Sequence, residues 1–266
     1  MPGVKSFCSF ISCHERSAVE VIQSTVAQPA NSKGPTVPIY PAIQITSASS
    51  LTDMSSPKDF NGKVVLEYKA LQIQADVTKD EDCRRIVEST VNHFGKLDIL
   101  VNNAGGGAFG SIYDPKLMST LEHMIKLDLR SVVLITQLAV PHLEKTKGNI
   151  VMISSTLSTK PNAHFMPYCI AKAAVDSFAR CIALELGPKG IRVNTVNPTA
   201  VRTNFQAATG AGEILDGVLK HLEQTNPLGR IGTTEDVVNA IGYLASPEAS
   251  FVTGASLLVD GASVHV

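Results

Sequence analysis

The stretch NIVMISSTLSTKPNAHFMPYCIAKAAVDSFARCIALELGPKGIRVNTVN (149–197) decides the fold. It opens on an apolar, β-rich run (149–155), passes through a long helical segment (167–187) and closes on a second β-rich run, IRVNTVN (191–197). Strands that read as near-continuous hydrophobic runs, joined by a helix, are the mark of a parallel sheet buried on both faces. The same alternation extends outward in both directions. Upstream lie LQIQADV (71–77), a helix from Lys79 to about Phe94, LDILVN (97–102), a glycine-rich turn and a helix near 117–140. Downstream come helices near 213–224 and 234–245, and SLLVD (256–260) as the last strand. The pattern gives an α/β fold with a doubly wound parallel sheet, in which ligands sit beyond the carboxyl ends of the strands.

Polar motifs fall at those strand ends. Tyr168 and Lys172 are four residues apart on the long helix, so they share a face. An ammonium beside a phenol favours the phenolate and lowers its pKa, which suits a tyrosine for moving a proton to or from a carbonyl oxygen. Such a pair arises often by chance, and alone it reads as a helix surface pair. Its weight comes from its company. Ser155 ends a strand thirteen residues earlier, NNAG (102–105) ends another, and NTVNPTAVRT (194–203) ends a third and carries Thr203. Each of these alone is ordinary turn chemistry; together, in this order, they are specific.

With ADVT (75–78), they make the chain from about Ala70 to its end resemble a classical short-chain dehydrogenase/reductase. The resemblance implies a Rossmann-like fold and an NAD- or NADP-dependent oxidoreductase that interconverts a small carbonyl and an alcohol by hydride transfer. It implies Tyr168 as proton donor or acceptor, Ser155 as the group orienting the carbonyl, and Lys172 as the residue that binds the nicotinamide ribose and tunes the tyrosine. By the same resemblance Asp76 and Val77 border the adenine, Asn103 lines the cofactor cleft, and the Val201 amide with Thr203 holds the carboxamide. A homo-oligomer is also implied, and apolar residues around much of the helix circumference (Ala173, Ala174, Val175, Phe178, Ile182, Leu184, Leu186) agree with it.

Departures from the family's pattern are equally informative. NGKVVL (61–66) resembles the family's opening strand, yet Asp76 follows Gly62 by only fourteen residues, and no TGxxxGxG turn is present. A βαβ unit needs about 30 residues, so the turn, its helix and the second strand do not fit. Val64, Leu66, Tyr68 and Ala70 keep one strand phase and Leu71, Ile73, Ala75 and Val77 the other, which marks a junction. The expectation is a sheet incomplete in its N-terminal half, truncated near Leu66–Glu67 by about 45 residues, with weak dinucleotide binding. Asp128 stands where the family usually has the asparagine of its proton relay, and joins Ser155, Tyr168 and Lys172 as a candidate catalytic residue. Thr199 and Ala262 stand where glycines are usual. These departures support a second reading: a cofactor-deficient or non-catalytic variant that acts through protein–protein contact.

Composition limits the other classes. The chain has 266 residues, of which 44% are hydrophobic and 18% charged, and 23 basic residues balance 24 acidic ones. A net charge near zero offers nothing to nucleic acid or an anionic membrane. The five cysteines form no CxxC pair and the histidines no HExxH, so the expectations are reduced thiols, no metal site and an intracellular, cytoplasmic setting. Residues 1–58, rich in Ser, Pro and Thr, read as a largely disordered leader, and 59–266 as the dehydrogenase-like domain.

Overall fold

In the computed structural model, which describes residues 17–22, 42–48, 71–203 and 212–266, the strand–helix alternation builds one seven-stranded sheet. The strands are β1 (Ser17–Ile22), β2 (Ala42–Ala48), β3 (Leu71–Gln74), β4 (Ile99–Asn102), β5 (Asn149–Ile153), β6 (Arg192–Pro198) and β7 (Ser256–Val259). The helices are α1 (Asp80–Phe94), α2 (Leu117–Met124), α3 (Ser131–Thr146), α4 (Met166–Leu186), α5 (Gly212–Thr225) and α6 (Thr234–Ala245). A π-helical turn, Ile125–Arg130, joins α2 to α3. Strand order is β3-β2-β1-β4-β5-β6-β7, and β4 through β7 are parallel neighbours. Among the described residues no helix is long and apolar enough to cross a membrane.

Side-chain alternation in the central strands feeds two cores. Leu100, Ile150, Met152 and Val193 point to one face and pack with α1, α3 and α4. Ile99, Val101, Val151 and Val196 point to the other and pack with Ile241 and Leu244 of α6. Strands covered on both faces need apolar residues in both phases, which is why β4 and β5 read as unbroken hydrophobic runs. The register places Asn102 beside Met152, and Met152 beside Thr195. The chain therefore leaves all three strands at one level, and Asn103, Ser155 and Thr199 gather along a single rim.

Local signals set the element ends. The strand expected over 71–77 stops at Gln74, because the Asp76 carboxylate accepts from the Thr78 amide (3.0 Å) and hydroxyl (2.7 Å) and turns the chain into α1. Three acidic residues in the first turn of α1 suit its partly positive N-terminus. At α6, Thr233 and Asp236 form a reciprocal capping box. The helix expected over 117–140 extends to Thr146, running through Pro141, and the π-helical turn breaks it.

Two stretches of 1–58, the segment read from sequence as a leader, lie among the described residues. SAVEVI forms β1, parallel to β4, and AIQITSA forms β2, antiparallel to both β1 and β3. Without β1 that side of β4 would present unpaired amides and carbonyls, and pairing them favours strand in any segment with alternating branched residues. The sheet thus draws on both sides of the expected 58/59 boundary. NGKVVL, the Leu66–Glu67 junction and residues 204–211 lie outside the described residues.

After β7 the chain turns through Gly261 (φ 59°) and Ala262 (φ 68°). The left-handed conformation costs an L-residue about 1–2 kcal/mol, offset in glycine by roughly 0.5–1 kcal/mol of extra chain entropy. Ala262→Gly is expected to leave stability unchanged or raise it by up to about 1 kcal/mol in urea unfolding. A clear loss of stability would show that the alanine methyl contributes packing that outweighs its strain.

Candidate active site

The site is built where β5 ends and α4 begins. Ser155 follows β5 in extended conformation, and its hydroxyl accepts from the Leu157 amide at 3.1 Å, capping a short 3-10 turn. Pro167 in the first turn of α4 suits a helix start. One turn apart on α4, Tyr168 and Lys172 face inward, 8% and 5% exposed. The Lys172 Nζ donates to the Ile153 carbonyl at 3.0 Å, stands 3.5 Å from Asp128 Oδ1 and lies 5.5 Å from the centre of the Tyr168 ring. Ser155, Tyr168, Lys172 and Asp128, nominated from the sequence, are therefore brought together.

Asp128 arrives from the π-helical turn and is wholly buried. Its Oδ1 also accepts from the Gly106 amide at 3.0 Å, whereas Oδ2 has no hydrogen-bond partner among the described residues. Burial pushes this carboxyl above the usual range, against the pull of Lys172 and the Gly106 amide. Tyr168 differs from the sequence expectation. Lys172 and a hydrogen bond with the Ser155 side chain favour its phenolate, but burial, reinforced by the Asp128 charge, outweighs them and raises its pKa. Lys172 is itself raised: burial opposes its charge, and Asp128 and Tyr168 together overcome that penalty.

The proposed cofactor residues divide into two groups. Asn103, half-buried, follows β4 directly, and Val201 and Thr203 lie on the loop beyond β6, where Val201 bridges to Gly232. Asp76 and Val77 lie beyond the end of β3, separated from β4 by the positions of β2 and β1. The Asp76 carboxylate is engaged by Thr78, and the Val77 carbonyl accepts from the Cys83 thiol at 3.2 Å. Burial pushes that thiol up to about 12, so it stays protonated. No group of three or more His, Cys, Asp or Glu side chains able to hold a metal ion occurs among the described residues.

One cluster was missed in the sequence. Asp176, 3% exposed, accepts from the Ser158 hydroxyl at 2.5 Å and from the Asn197 amide at 2.9 Å. Asn197 also donates to the Ser155 carbonyl at 3.2 Å. This network ties the Ser155 backbone to β6 and α4 at once. Its signal was legible: Tyr168, Lys172 and Asp176 fall at i, i+4 and i+8, a polar line on the buried face of α4. Thr199, which stands where a glycine is usual, accepts a hydrogen bond from the Ser263 hydroxyl at 3.1 Å.

Gly105 shows how closely the backbone passes. A Cβ there would lie 2.3 Å from Asp128 Oδ1 and 3.4 Å from Lys172 Nζ. Gly105→Ala must displace the carboxylate, and a loss of about 1–3 kcal/mol is expected in urea unfolding. Gly217→Ala, in α5 with nothing within 4 Å, should be neutral or stabilising. Equal stability of the two variants would mean that the Asp128 side chain is not packed against this turn.

Known proteins resemble this chain in sequence and fold. A family model described as enoyl-(acyl carrier protein) reductase matches residues 50–262. L-fucose dehydrogenase of Bos taurus is 35% identical over 192 residues, spanning 70% of this chain and 69% of that protein. The 7alpha-hydroxysteroid dehydrogenase of Escherichia coli K12 is 33% identical over 198 residues, 74% of this chain and 75% of that one. Among solved structures, a short-chain dehydrogenase/reductase of unknown function from Caenorhabditis elegans, with cofactor, superposes with a TM-score of 0.66 at 35% identity, covering 72% of this chain and 74% of that one. A 7 alpha-hydroxysteroid dehydrogenase in complex with NADH and 7-oxo glycochenodeoxycholic acid gives a TM-score of 0.64 at 33% identity, covering 70% and 71%.

Proposed function

Because this chain belongs to the classical short-chain dehydrogenase/reductase family, we propose that it interconverts a small carbonyl and an alcohol with NAD or NADP, through Ser155, Tyr168 and Lys172. The single observation that carries the reading is the meeting of a buried phenol with a serine hydroxyl and a buried ammonium at the rim of the parallel sheet. Relatives named as dehydrogenases of fucose and of a hydroxysteroid support a hydroxyl-bearing compound or its carbonyl counterpart as substrate.

The residues present fit the nicotinamide end of such a cofactor. Gly105 and Gly106 keep the turn after β4 free of side chains, and Lys172 uses two of its three donors on Ile153 and Asp128, leaving one for a ribose hydroxyl. Asn103, Val201 and Thr203 would complete that half, with Asp76 and Val77 at the adenine end. When bound, the reduced nicotinamide supplies a hydride to the carbonyl carbon. Ser155 would hold the carbonyl oxygen by a hydrogen bond, and Tyr168 would give that oxygen its phenolic proton. Lys172 would stabilise the phenolate left behind until water reprotonates it.

The pyrophosphate end is weaker, since the chain lacks the TGxxxGxG turn that lays backbone amides against two negative charges. Losing three such charge-assisted hydrogen bonds at about 1.5 kcal/mol each weakens binding by roughly three orders of magnitude. That deficit is what favours the second reading, a cofactor-deficient variant acting through protein contact.

One pair of measurements tests both readings. Carbonyl reduction by the wild-type chain should fall by about 10²–10⁴-fold in Tyr168→Phe, which keeps the ring and loses the proton. Equal rates in the two proteins would remove Tyr168 from the chemistry. NADH and NADPH titrated into the wild-type chain should bind more weakly than low-micromolar. Tight binding would show that another segment rebuilds the phosphate site, and no binding with no turnover would leave the second reading standing.

A further inference from the structure

Asp128 is a carboxyl group placed where a neutral side chain would be cheaper to bury. It is fully buried, one of its oxygens has no hydrogen-bond partner among the described residues, and the cation beside it is Lys172, 3.5 Å away. A buried carboxylate is sustained only by pairing of this kind. The same ammonium is the cation available to the Tyr168 phenolate, and it faces that ring from 5.5 Å. One cation thus serves two acidic groups, and the nearer of them is a carboxylate. We propose that Asp128 is a positioning residue acting through Lys172: by claiming the ammonium as its own counter-ion it keeps Tyr168 a neutral phenol, and so sets the site to give a proton to a carbonyl rather than to take one from an alcohol. The inference rests on the reading of Tyr168 as the group that transfers the proton.

The surroundings leave Asp128 the dominant negative charge acting on this phenol. From α4 the groups that act on the cluster are Tyr168, Cys169, Lys172 and Asp176; Cys169 opposes the Tyr168 phenolate less than Asp128 does, and Asp176 is spent on Ser158 and Asn197. From α2, His123 acts in favour of the Asp128 anion, less strongly than Lys172. The turn after β4 contributes the Gly106 amide, which does the same. Burial and Asp128 both hold the Tyr168 phenol above its ordinary range, in agreement with the geometry. The sign follows directly. Replacing Asp128 with a neutral side chain removes a charge that opposes the phenolate and frees the ammonium to favour it, so Tyr168 must ionise at lower pH.

The experiment needs neither turnover nor cofactor. The whole chain, labelled with ¹³C at the ring carbon bearing the tyrosine hydroxyl, is titrated by NMR, and the Tyr168 signal is assigned by its loss in Tyr168→Phe. In Asp128→Asn the Tyr168 midpoint should fall by about one pH unit or more relative to wild type. Asp128→Ser, a second neutral replacement, should move it the same way and serves if the asparagine variant does not fold. A wild-type Tyr168 that stays protonated up to alkaline unfolding, beside a neutral variant in which it titrates, is the same result in stronger form. An unchanged midpoint, or no titration before unfolding in any of the three proteins, overturns the proposal, and a purely structural Asp128 would lower stability without moving the tyrosine. Failure of the underlying reading is seen separately, in the kinetics of Tyr168→Phe.

Discussion

A single buried ammonium organises this end of the molecule. Lys172 can hold a charge with only 5% of its surface exposed because three elements supply it with negative or dipolar partners. The Ile153 carbonyl comes from the end of β5, Asp128 from the π-helical turn, and the Tyr168 ring from its own helix. Removing any of them leaves a desolvated charge poorly compensated, which is far more costly than losing a surface ion pair. The cluster therefore fixes the distance between α4 and the turn joining α2 to α3, as well as placing candidate reactive groups.

That arrangement depends on the sheet. Parallel register across β4, β5 and β6 brings three chain exits to one level, and helices on both faces bury the strands that lead to it. The Asp176–Asn197–Ser158 network then locks the exit of β5 against β6 and α4, so Ser155 has little freedom relative to Tyr168. The π-helical turn widens the helix locally at the point where Asp128 enters, a place where such turns commonly accompany function.

Much of this was legible in the sequence, for identifiable reasons. The central strands are buried on both faces and so carry unbroken apolar runs, and the Tyr168–Lys172 spacing matches the helical repeat directly. The π-helical turn was not legible, because IKLDLR has the composition of ordinary helix and the extra backbone residue is set by packing. Nor were β1 and β2: their Ser- and Thr-containing sequences are ambiguous alone, and what makes them strands is pairing with residues far away in the chain. The direction of the Tyr168 shift was misjudged for a related reason. Spacing revealed the nearby lysine, but only the packed structure shows how deeply the phenol is buried and that a carboxylate already holds that lysine.

The account turns on Lys172 and Asp128 being charges that sustain each other in the interior, and a double-mutant cycle on folding stability measures this directly. Lys172→Met alone leaves the Asp128 carboxylate buried without its cation and should cost about 3–5 kcal/mol in urea unfolding. In an Asp128→Asn background the same lysine replacement should cost less by at least about 1 kcal/mol, since no anion remains to be stranded. Costs that simply add would mean that the two side chains do not interact as ions, and the account of the site would be contradicted.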